Sequence, residues 1–283
     1  MTETSRRTLL TAAALAAPAA LAGAAQATPS TQARTGPNGG SGLGKSALIT
    51  GSSRGIGAAT ARRLARDGHA VTVNYLTGRD LADQVVRDIE AAGGRAIARQ
   101  ADVADPRAVG RLFDAHDEAF GGVDVVVSNA GIMNVGAFAE MTDDAFDRMM
   151  ATNVKGTFNV LREAARRTRD GGRIITLGST IVEMKPAGGG AYTASKAAQG
   201  MFAGILAKEL GARRISVNAV APGATDTRLL RQHGDAALAG IPAQTPLGRL
   251  GLPEDIADVI AGLCAEGGHW INGQVVFANG GIA

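Results

Sequence analysis

Residues 50–57 read Thr-Gly-Ser-Ser-Arg-Gly-Ile-Gly and join a short apolar run, Ser46–Thr50, to a helical stretch, Gly55–Asp67. The first glycine allows a tight turn, and the other two let the backbone approach a pyrophosphate closely. The helix N-terminus adds free N–H groups and a partial positive charge. A glycine-rich turn between a strand and a helix predicts a dinucleotide phosphate site. The residues that we place against the cofactor here are Gly51, Ser53, Arg54, Gly55, Ile56 and Gly57.

Outward from this turn, short β-branched runs alternate with longer helical stretches. The predicted strands are Ser46–Thr50, Ala70–Tyr75, Arg95–Gln100, Val123–Val127, Arg173–Leu177, Ile215–Val220 and Gln274–Ala278. The predicted helices are Gly55–Asp67, Asp80–Ala92, Pro106–Phe120, Thr142–Thr168, Ala191–Leu210 and Pro253–Cys264. Nearly continuous apolar strands separated by helices are typical of a parallel sheet covered on both faces. We therefore predict a single-domain, doubly wound α/β fold of the Rossmann type with seven parallel strands over residues 45–283.

The end of the second strand, at Asn74 and Tyr75, predicts which nicotinamide cofactor binds. An NAD enzyme usually carries an acidic residue near this point for the ribose hydroxyls, and none occurs here. Arg54 lies in the glycine turn and Arg79 follows the strand, and a cation suits a 2′-phosphate. We therefore favour NADP(H) over NAD(H), with two ordinary surface arginines as the alternative reading.

The ends of the third and fourth strands extend the predicted groove. Asp102 and Val103 follow the third strand, where a carboxylate could accept from the adenine amino group. Asn129, Ala130 and Gly131 follow the fourth, and such small residues leave room for a cofactor that crosses the carboxyl ends of the strands.

Four polar residues in the second half of the chain form a candidate catalytic set. Tyr192 and Lys196 are spaced i to i+4, which puts them on one face of a helix. Ser179 follows the fifth strand, and Asn153 lies in the long helix before it.

In order and spacing, the glycine turn, Asn129-Ala130-Gly131, the four polar residues and Pro222-Gly223 resemble the short-chain dehydrogenase/reductase family. The resemblance is strongest to 3-oxoacyl-carrier-protein reductases and related NADP-dependent ketone, sugar and polyhydroxynaphthalene reductases. It implies an NADP(H)-dependent oxidoreductase that acts on a small ketone or secondary alcohol. The implied catalytic tetrad is Asn153, Ser179, Tyr192 and Lys196.

The resemblance also implies a role for each residue. Tyr192 would be the general acid and base, and Ser179 would orient the substrate oxygen. Lys196 would also bind the nicotinamide ribose, and Asn153 would hold a backbone geometry or a water that relays protons to it. Pro222, Gly223, Thr225 and Thr227 would contact the nicotinamide, although Thr227 could simply cap the next helix.

The chemistry of hydride transfer fits these roles. A free tyrosine has a pKa of about 10, which is high for proton exchange near neutrality. A nearby ammonium and the positive nicotinamide of the cofactor both favour the phenolate, so we expect Lys196 and the cofactor together to lower the pKa of Tyr192. The stretch from Leu229 to Leu250 is expected to cover the substrate.

Composition excludes several other kinds of function. The formal net charge is only +3, with arginines interleaved among acids, which does not indicate nucleic-acid binding. The single cysteine, Cys264, and the four scattered histidines show no metal-ligand spacing, so we predict no metal site. Small residues along the predicted helix Ala191–Leu210 would allow close helix packing, and the family resemblance implies a homotetramer or a dimer.

The N-terminal segment predicts an export signal. Arg6 and Arg7 precede a short Ala/Leu-rich run that is weakly hydrophobic for a spanning helix, and Ala25-Gln26-Ala27 fits a cleavage site. We interpret residues 1–27 as a twin-arginine-type signal peptide and residues 28–44 as a flexible linker. The mature protein is then expected to be exported already folded and without a membrane anchor, and a cytoplasmic enzyme is the alternative.

Two further functions stay open at the level of sequence. One is an NAD-dependent sugar or alcohol dehydrogenase. The other is a non-catalytic NADP(H)-binding sensor, because one fold supports many functions.

Overall fold

Seven strands form one parallel sheet in the part of the chain that the computed structural model describes, which is Gly42, residues 44–234 and residues 238–283. The strands are β1 (Ser46–Ile49), β2 (Ala70–Tyr75), β3 (Arg95–Gln100), β4 (Val123–Ser128), β5 (Thr168–Leu177), β6 (Ser216–Pro222) and β7 (Val275–Ala278). They lie in the order β3-β2-β1-β4-β5-β6-β7, and every neighbouring pair is parallel. The predicted doubly wound α/β fold is confirmed.

Helices connect the strands and cover the sheet. They are α1 (Gly55–Arg66), α2 (Arg79–Ala91), α3 (Pro106–Phe120), α4 (Asp143–Met150), α5 (Thr157–Arg167), α6 (Ile181–Met184), α7 (Gly190–Glu209), α8 (Arg228–Arg231), α9 (Ile241–Gln244) and α10 (Pro253–Cys264). None of the helices in the described residues is long and apolar enough to cross a membrane. The predicted signal peptide, residues 1–27, lies outside the described residues, as does the predicted linker apart from Gly42 and Gly44.

The predicted helix over residues 142–168 is wrong in its middle and at its end. A π-helical turn, Ala151–Gly156, separates α4 from α5. Gly156 allows this turn to pack tightly, since a Cβ there would lie 2.7 Å from Val103 Cγ2. At the other end, Thr168 already pairs with Val123 of β4, so the chain has left the helix. Helical periodicity cannot predict either feature, because both depend on contacts with distant strands.

The core has two layers because successive strand residues point to opposite faces. Ile49 belongs to a cluster in which α1, α2 and α10 pack against one face of the sheet. Its neighbour Leu48 belongs to a second cluster, in which α3, α5 and α7 cover the other face. Both side chains are fully buried.

The strand order reverses beside β1, which pairs with β2 on one side and with β4 on the other. Connections that leave this point toward opposite faces open a crevice at the carboxyl ends of the strands. The glycine turn follows β1, and residues 129–131 follow β4, so both border this crevice.

A buried histidine joins three elements on one side of the sheet. His116 of α3 is hydrogen-bonded through Nε2 to Ser46 Oγ at 3.0 Å and through Nδ1 to Thr72 Oγ1 at 2.8 Å. Its ring also packs edge-on against Phe120, with 5.3 Å between ring centroids. Burial lowers the pKa of His116 to about 4 because the charged imidazolium would lose its hydration.

We expect the free energy of unfolding to fall as the pH drops from about 6.5 toward 4. The unfolded chain takes up a proton at His116 near pH 6.5, and the folded chain does so only near pH 4. The stabilisation is therefore complete above pH 6.5 and decreases by about 3 kcal/mol by pH 4. Urea unfolding at several pH values measures this slope.

The control is His116→Gln, which cannot gain a proton. Buried His69 also has a lowered pKa and contributes a slope of the same sign. The variant is therefore expected to have a shallower pH dependence rather than none. A slope equal to that of the parent protein would contradict the assignment to His116.

Candidate active site

The glycine turn after β1 is held by side chains of β2 and of the turn itself. Gly51 and Gly55 have φ of +61° and +55°, a region that disfavours residues with a Cβ. Asn74 Oδ1 accepts from Gly51 N at 3.1 Å, and Ser52 Oγ donates to Ile49 O at 2.7 Å. These contacts fix the turn over the end of the sheet.

Gly57 is the position where the backbone is most crowded. A Cβ there would lie 2.6 Å from both Asn129 Nδ2 and Gly51 O. Asn129 donates through the same nitrogen to Thr50 O at 2.8 Å and Gly51 O at 3.0 Å. This close approach leaves the start of α1 open to a phosphate, as a dinucleotide requires.

A groove of about 790 Å³ runs along the carboxyl ends of β1, β2, β3 and β4. Most of the predicted cofactor residues line it: Gly51, Ser53, Arg54, Gly55, Ile56, Gly57, Asn74, Tyr75, Asp102, Val103, Asn129, Ala130, Gly131 and Thr227. Sequence reasoning did not identify several others that also line it, including Leu76, Thr77, Thr152, Asp226 and Gln232.

One of the predicted contacts at the adenosine end differs in detail. The Asn74 amide faces inward, since its Nδ2 donates to Ala101 O at 3.1 Å and to Arg99 O at 3.2 Å. It therefore supports the groove rather than offering its donors to a ligand.

Of the two arginines considered for a 2′-phosphate, Arg54 lines the groove, with its guanidinium 3.4 Å from Thr77 O. Arg79 is 78% exposed and pairs with Asp83, away from the groove.

Tyr192 and Lys196 lie on α7, and Ser179 lies just beyond β5. Tyr192 is 7% exposed and its hydroxyl is hydrogen-bonded to Ser179. Burial raises the pKa of Tyr192 to about 12, although the bond to Ser179 opposes this shift. The Lys196 Nζ lies 5.8 Å from the phenol ring centroid, and the effect of burial on the Tyr192 pKa outweighs the attraction between this ammonium and the phenolate.

Lys196 is also buried, at 6% exposed. Its Nζ donates to Leu177 O at 2.6 Å and to Gln199 Oε1 at 3.0 Å. Burial lowers the pKa of Lys196 to about 8, because the charged ammonium is more costly to desolvate than the neutral amine. At neutral pH most Lys196 side chains are charged.

Asn153 lies in the π-helical turn and is fully buried. Its Oδ1 accepts from Ile132 N at 2.9 Å, and its Nδ2 donates to Ile132 O at 2.8 Å and to Ser195 Oγ at 3.0 Å. The side chain therefore ties the segment after β4 to α7. The backbone carbonyl oxygen of Asn153 accepts a hydrogen bond from Gln199 Nε2. The sequence did not identify Gln199 as a site residue.

The segment after β6 completes the site. Thr225 Oγ1 donates to Gly223 O at 3.0 Å, and Thr225 forms a parallel bridge with Gly251. Thr227 Oγ1 accepts from Leu230 N at 3.3 Å, so it caps α8 as the alternative reading proposed. Thr227 also lines the groove, and the two roles are compatible.

A second cavity, of about 290 Å³, adjoins the groove and contains Ser179, Tyr192 and Lys196. Pro222, Gly223 and Thr225 also line it. The rest of its wall is mainly apolar, with Ile132, Met133, Ile181, Leu230 and Ile282 among its residues. The described residues hold no cluster of side chains suited to a metal ion.

Comparison with known proteins identifies the family of the chain. A family model described as enoyl-(acyl carrier protein) reductase matches residues 51–283. A short-chain dehydrogenase/reductase of Aspergillus aculeatus is 41% identical over 253 residues, which cover 85% of this chain and 96% of the relative. The chain belongs to the short-chain dehydrogenase/reductase family.

Two relatives of this short-chain dehydrogenase/reductase carry more specific names. Versicolorin reductase of Emericella nidulans is 41% identical over 254 residues, covering 84% of this chain and 95% of the relative. The structure of the angucycline C-6 ketoreductase LanV with bound NADP superposes with a TM-score of 0.81 at 40% identity, covering 86% and 97% of the two chains.

A short-chain dehydrogenase from Burkholderia cenocepacia, solved in complex with NADP, superposes equally well. Its TM-score is 0.81 at 43% identity, and the match covers 85% of this chain and 98% of the other.

We expect Gly57→Ala to weaken dinucleotide binding by about tenfold or more. The new methyl group would meet backbone and Asn129 at 2.6 Å, so the turn must shift away from the phosphate position. Fluorescence titration with NADPH measures the dissociation constant.

Gly110→Ala is the matched control, since a Cβ at that position in α3 would meet no atom within 4 Å. Its affinity for NADPH should equal that of the parent, with stability unchanged or slightly raised. Unaltered binding by Gly57→Ala would show that the phosphates bind elsewhere.

Proposed function

We propose that this short-chain dehydrogenase/reductase reduces an apolar, uncharged ketone with NADPH, and that Tyr192 supplies the proton. The observation that carries the proposal is the place of the Tyr192 hydroxyl. It is hydrogen-bonded to Ser179 in an apolar cavity that shares Gly131 and Ile132 with the dinucleotide groove. A carbonyl in that cavity would meet both hydroxyls next to the nicotinamide.

The protonation states support the reductive direction. With a pKa of about 12, Tyr192 is protonated at neutral pH and is ready to donate to an oxygen that gains negative charge. Ser179 can donate a second hydrogen bond to that oxygen. The nearby Lys196 ammonium then favours the phenolate that remains. Bound NADPH supplies the hydride.

The cavity wall supports an apolar substrate. Lys196 is the one charged side chain among the described residues that line it. A cationic substrate group would lose its hydration there without an acidic partner, and an anionic group would meet only Lys196, which is already bound to Leu177 O and Gln199 Oε1. The mainly apolar wall also does little to offset the desolvation of the several hydroxyls of a sugar. This disfavours the sugar dehydrogenase alternative. The names of versicolorin reductase and of the LanV ketoreductase support a reductive role.

The preference for NADP(H) rests on Arg54. Its guanidinium lies beside the loop after β2, and a cation there suits a 2′-phosphate. Two of the superposed structures contain NADP, which supports the same choice.

We also propose that the protein assembles with further copies of itself. Apolar side chains of α5, α7 and β7 are between 44% and 64% exposed: Phe158, Met201, Ile205, Val275 and Phe277. Such exposure is typical of an interface. Light scattering on the purified protein measures the mass in solution, and a monomer would overturn this part of the proposal.

Export remains a proposal that rests on residues 1–27 alone. Changing Arg6 and Arg7 to lysine should keep the protein in the cytoplasm, as judged by cell fractionation. Export at the parent level would contradict a twin-arginine route.

We expect Tyr192→Phe to lower ketone reduction by at least about a hundredfold, because the variant lacks the proton donor. The affinity for NADPH should stay within about twofold, since the ring itself remains. Turnover on a ketone panel and NADPH fluorescence provide the two measurements. Parent-level turnover would disprove the proton role. NADPH binding by the parent without reduction of any ketone would favour the sensor.

We expect Arg54→Ala to raise the dissociation constant for NADPH by about tenfold and to leave that for NADH nearly unchanged. Arg79→Ala is the control, because Arg79 is exposed and lies outside the groove. Equal losses for both cofactors would remove the assignment of Arg54 to the 2′-phosphate.

A further inference from the structure

Gln199 is a buried polar residue one turn beyond Lys196 on α7. It follows two alanines and precedes a glycine, and its side chain is 1% exposed. A buried amide without partners is costly, so its hydrogen bonds define what it does in this position.

The amide is bound at both ends. Gln199 Nε2 donates to Asn153 O at 2.8 Å and to Thr157 Oγ1 at 2.8 Å. Gln199 Oε1 accepts from Lys196 Nζ at 3.0 Å. A carbonyl on one side and an ammonium on the other permit one orientation of the amide, since a flipped amide would place oxygen against oxygen and NH₂ against NH₃⁺.

These bonds set the direction of the Lys196 ammonium. The group has three N–H donors, and two are taken by Leu177 O and Gln199 Oε1. The third is left for the cavity that Lys196 lines with Tyr192. Without Gln199 Oε1, the ammonium could rotate toward the interior and away from the tyrosine.

The two acceptors also favour the charged form of Lys196, against the effect of burial. Tyr192, on the same helix, is the titratable side chain that faces Lys196. The other groups around the Lys196 ammonium are uncharged: the Leu177 carbonyl of β5, the Asn153 side chain of the π-helical turn and the backbone of Gly131. Gln199 Oε1 and Leu177 O are therefore the hydrogen-bond acceptors that stabilise the ammonium.

The π-helical turn provides the other anchor. Asn153 uses its side chain on Ile132 and Ser195, and its carbonyl receives Gln199. Asn153 is thus connected to Lys196 through the amide of Gln199. A carboxamide neither gains nor loses a proton near neutrality, so this connection holds the lysine and does not relay protons.

We propose that Gln199 is a positioning residue that links the Asn153 carbonyl to the Lys196 ammonium and keeps that ammonium charged and directed at Tyr192. This role rests on the proposed reductase function, in which a charged Lys196 favours the phenolate.

Two substitutions of Gln199 by side chains of similar size should shift the pKa of Lys196 in opposite directions. Gln199→Met removes the acceptor, and the pKa of Lys196 should fall by about one pH unit. Gln199→Glu places a carboxylate beside the ammonium; although its second oxygen then faces Asn153 O, the ion pair with Lys196 should raise the pKa of Lys196 by about one unit. In the parent, the rate of ketone reduction should decline as the pH rises through about 8, where Lys196 loses its charge. The same decline should occur at lower pH in Gln199→Met and at higher pH in Gln199→Glu.

A second readout needs neither substrate nor cofactor. Pulse acetylation of the cofactor-free protein with acetic anhydride, followed by mass spectrometry, gives the reactivity of Lys196 against pH. Its midpoint reports the ionisation of Lys196 directly. If the parent reduces no ketone but these midpoints move as expected, the proposed function fails and the role of Gln199 in holding a charged Lys196 stands.

Thr157→Val is the matched control. It removes the bond at the far end of the same amide and leaves the contact between Gln199 and Lys196 in place. Its Lys196 midpoint should stay within about 0.3 pH units of the parent. Melting temperatures of all variants separate folding losses from these shifts.

The proposal is overturned if the Lys196 midpoint is unmoved in both Gln199 variants, or moves in the same direction in both. It is also overturned if Thr157→Val shifts the midpoint as far as Gln199→Met does. Any of these results would make Gln199 a packing residue.

Discussion

The crevice between the ends of β1 and β4 is the constraint on which the site depends. All seven strands run parallel, so their carboxyl ends share one edge of the sheet. The strand order reverses beside β1, and the connections there leave in opposite directions. The glycine turn, Asn129 and the segment after β6 meet at this edge because each directly follows the carboxyl end of a parallel strand. A groove for a long, thin ligand follows from topology before any side chain is considered.

In the cavity that adjoins this groove, burial shifts the pKa values of Tyr192 and Lys196 in opposite directions. It raises the pKa of the phenol and lowers that of the ammonium, because both charged forms lose hydration. Near pH 7, Tyr192 is therefore neutral and most Lys196 side chains are charged. Such a pair suits donation of a proton to a reduced carbonyl, and the polar contacts around Lys196 keep enough charge to favour the phenolate afterward.

The π-helical turn accounts for the way these contacts reach the lysine. It places the Asn153 side chain against the segment after β4 and presents the Asn153 carbonyl to α7. π-helical turns are rare and often occur at functional sites. Here the turn is accommodated by Gly156, which packs on Val103 where a side chain would collide. Thus the π-helical turn, the Leu177 carbonyl of β5 and the buried amide of Gln199 together fix the position of the Lys196 ammonium.

The sequence alone determined the alternation of strands and helices, the glycine turn and the pairing of Tyr192 with Lys196. These are local properties, since hydrophobic periodicity, glycines in turns and i to i+4 spacing depend only on residues that are close together in the sequence. Tertiary structure decided the rest. The break in the helix after residue 150, the inward turn of Asn74 and the choice between Arg54 and Arg79 in the groove depend on neighbouring elements. The bond between Gln199 and Asn153 joins residues 46 positions apart. Only packing brings such residues together, and only packing provides the burial that shifts their pKa values.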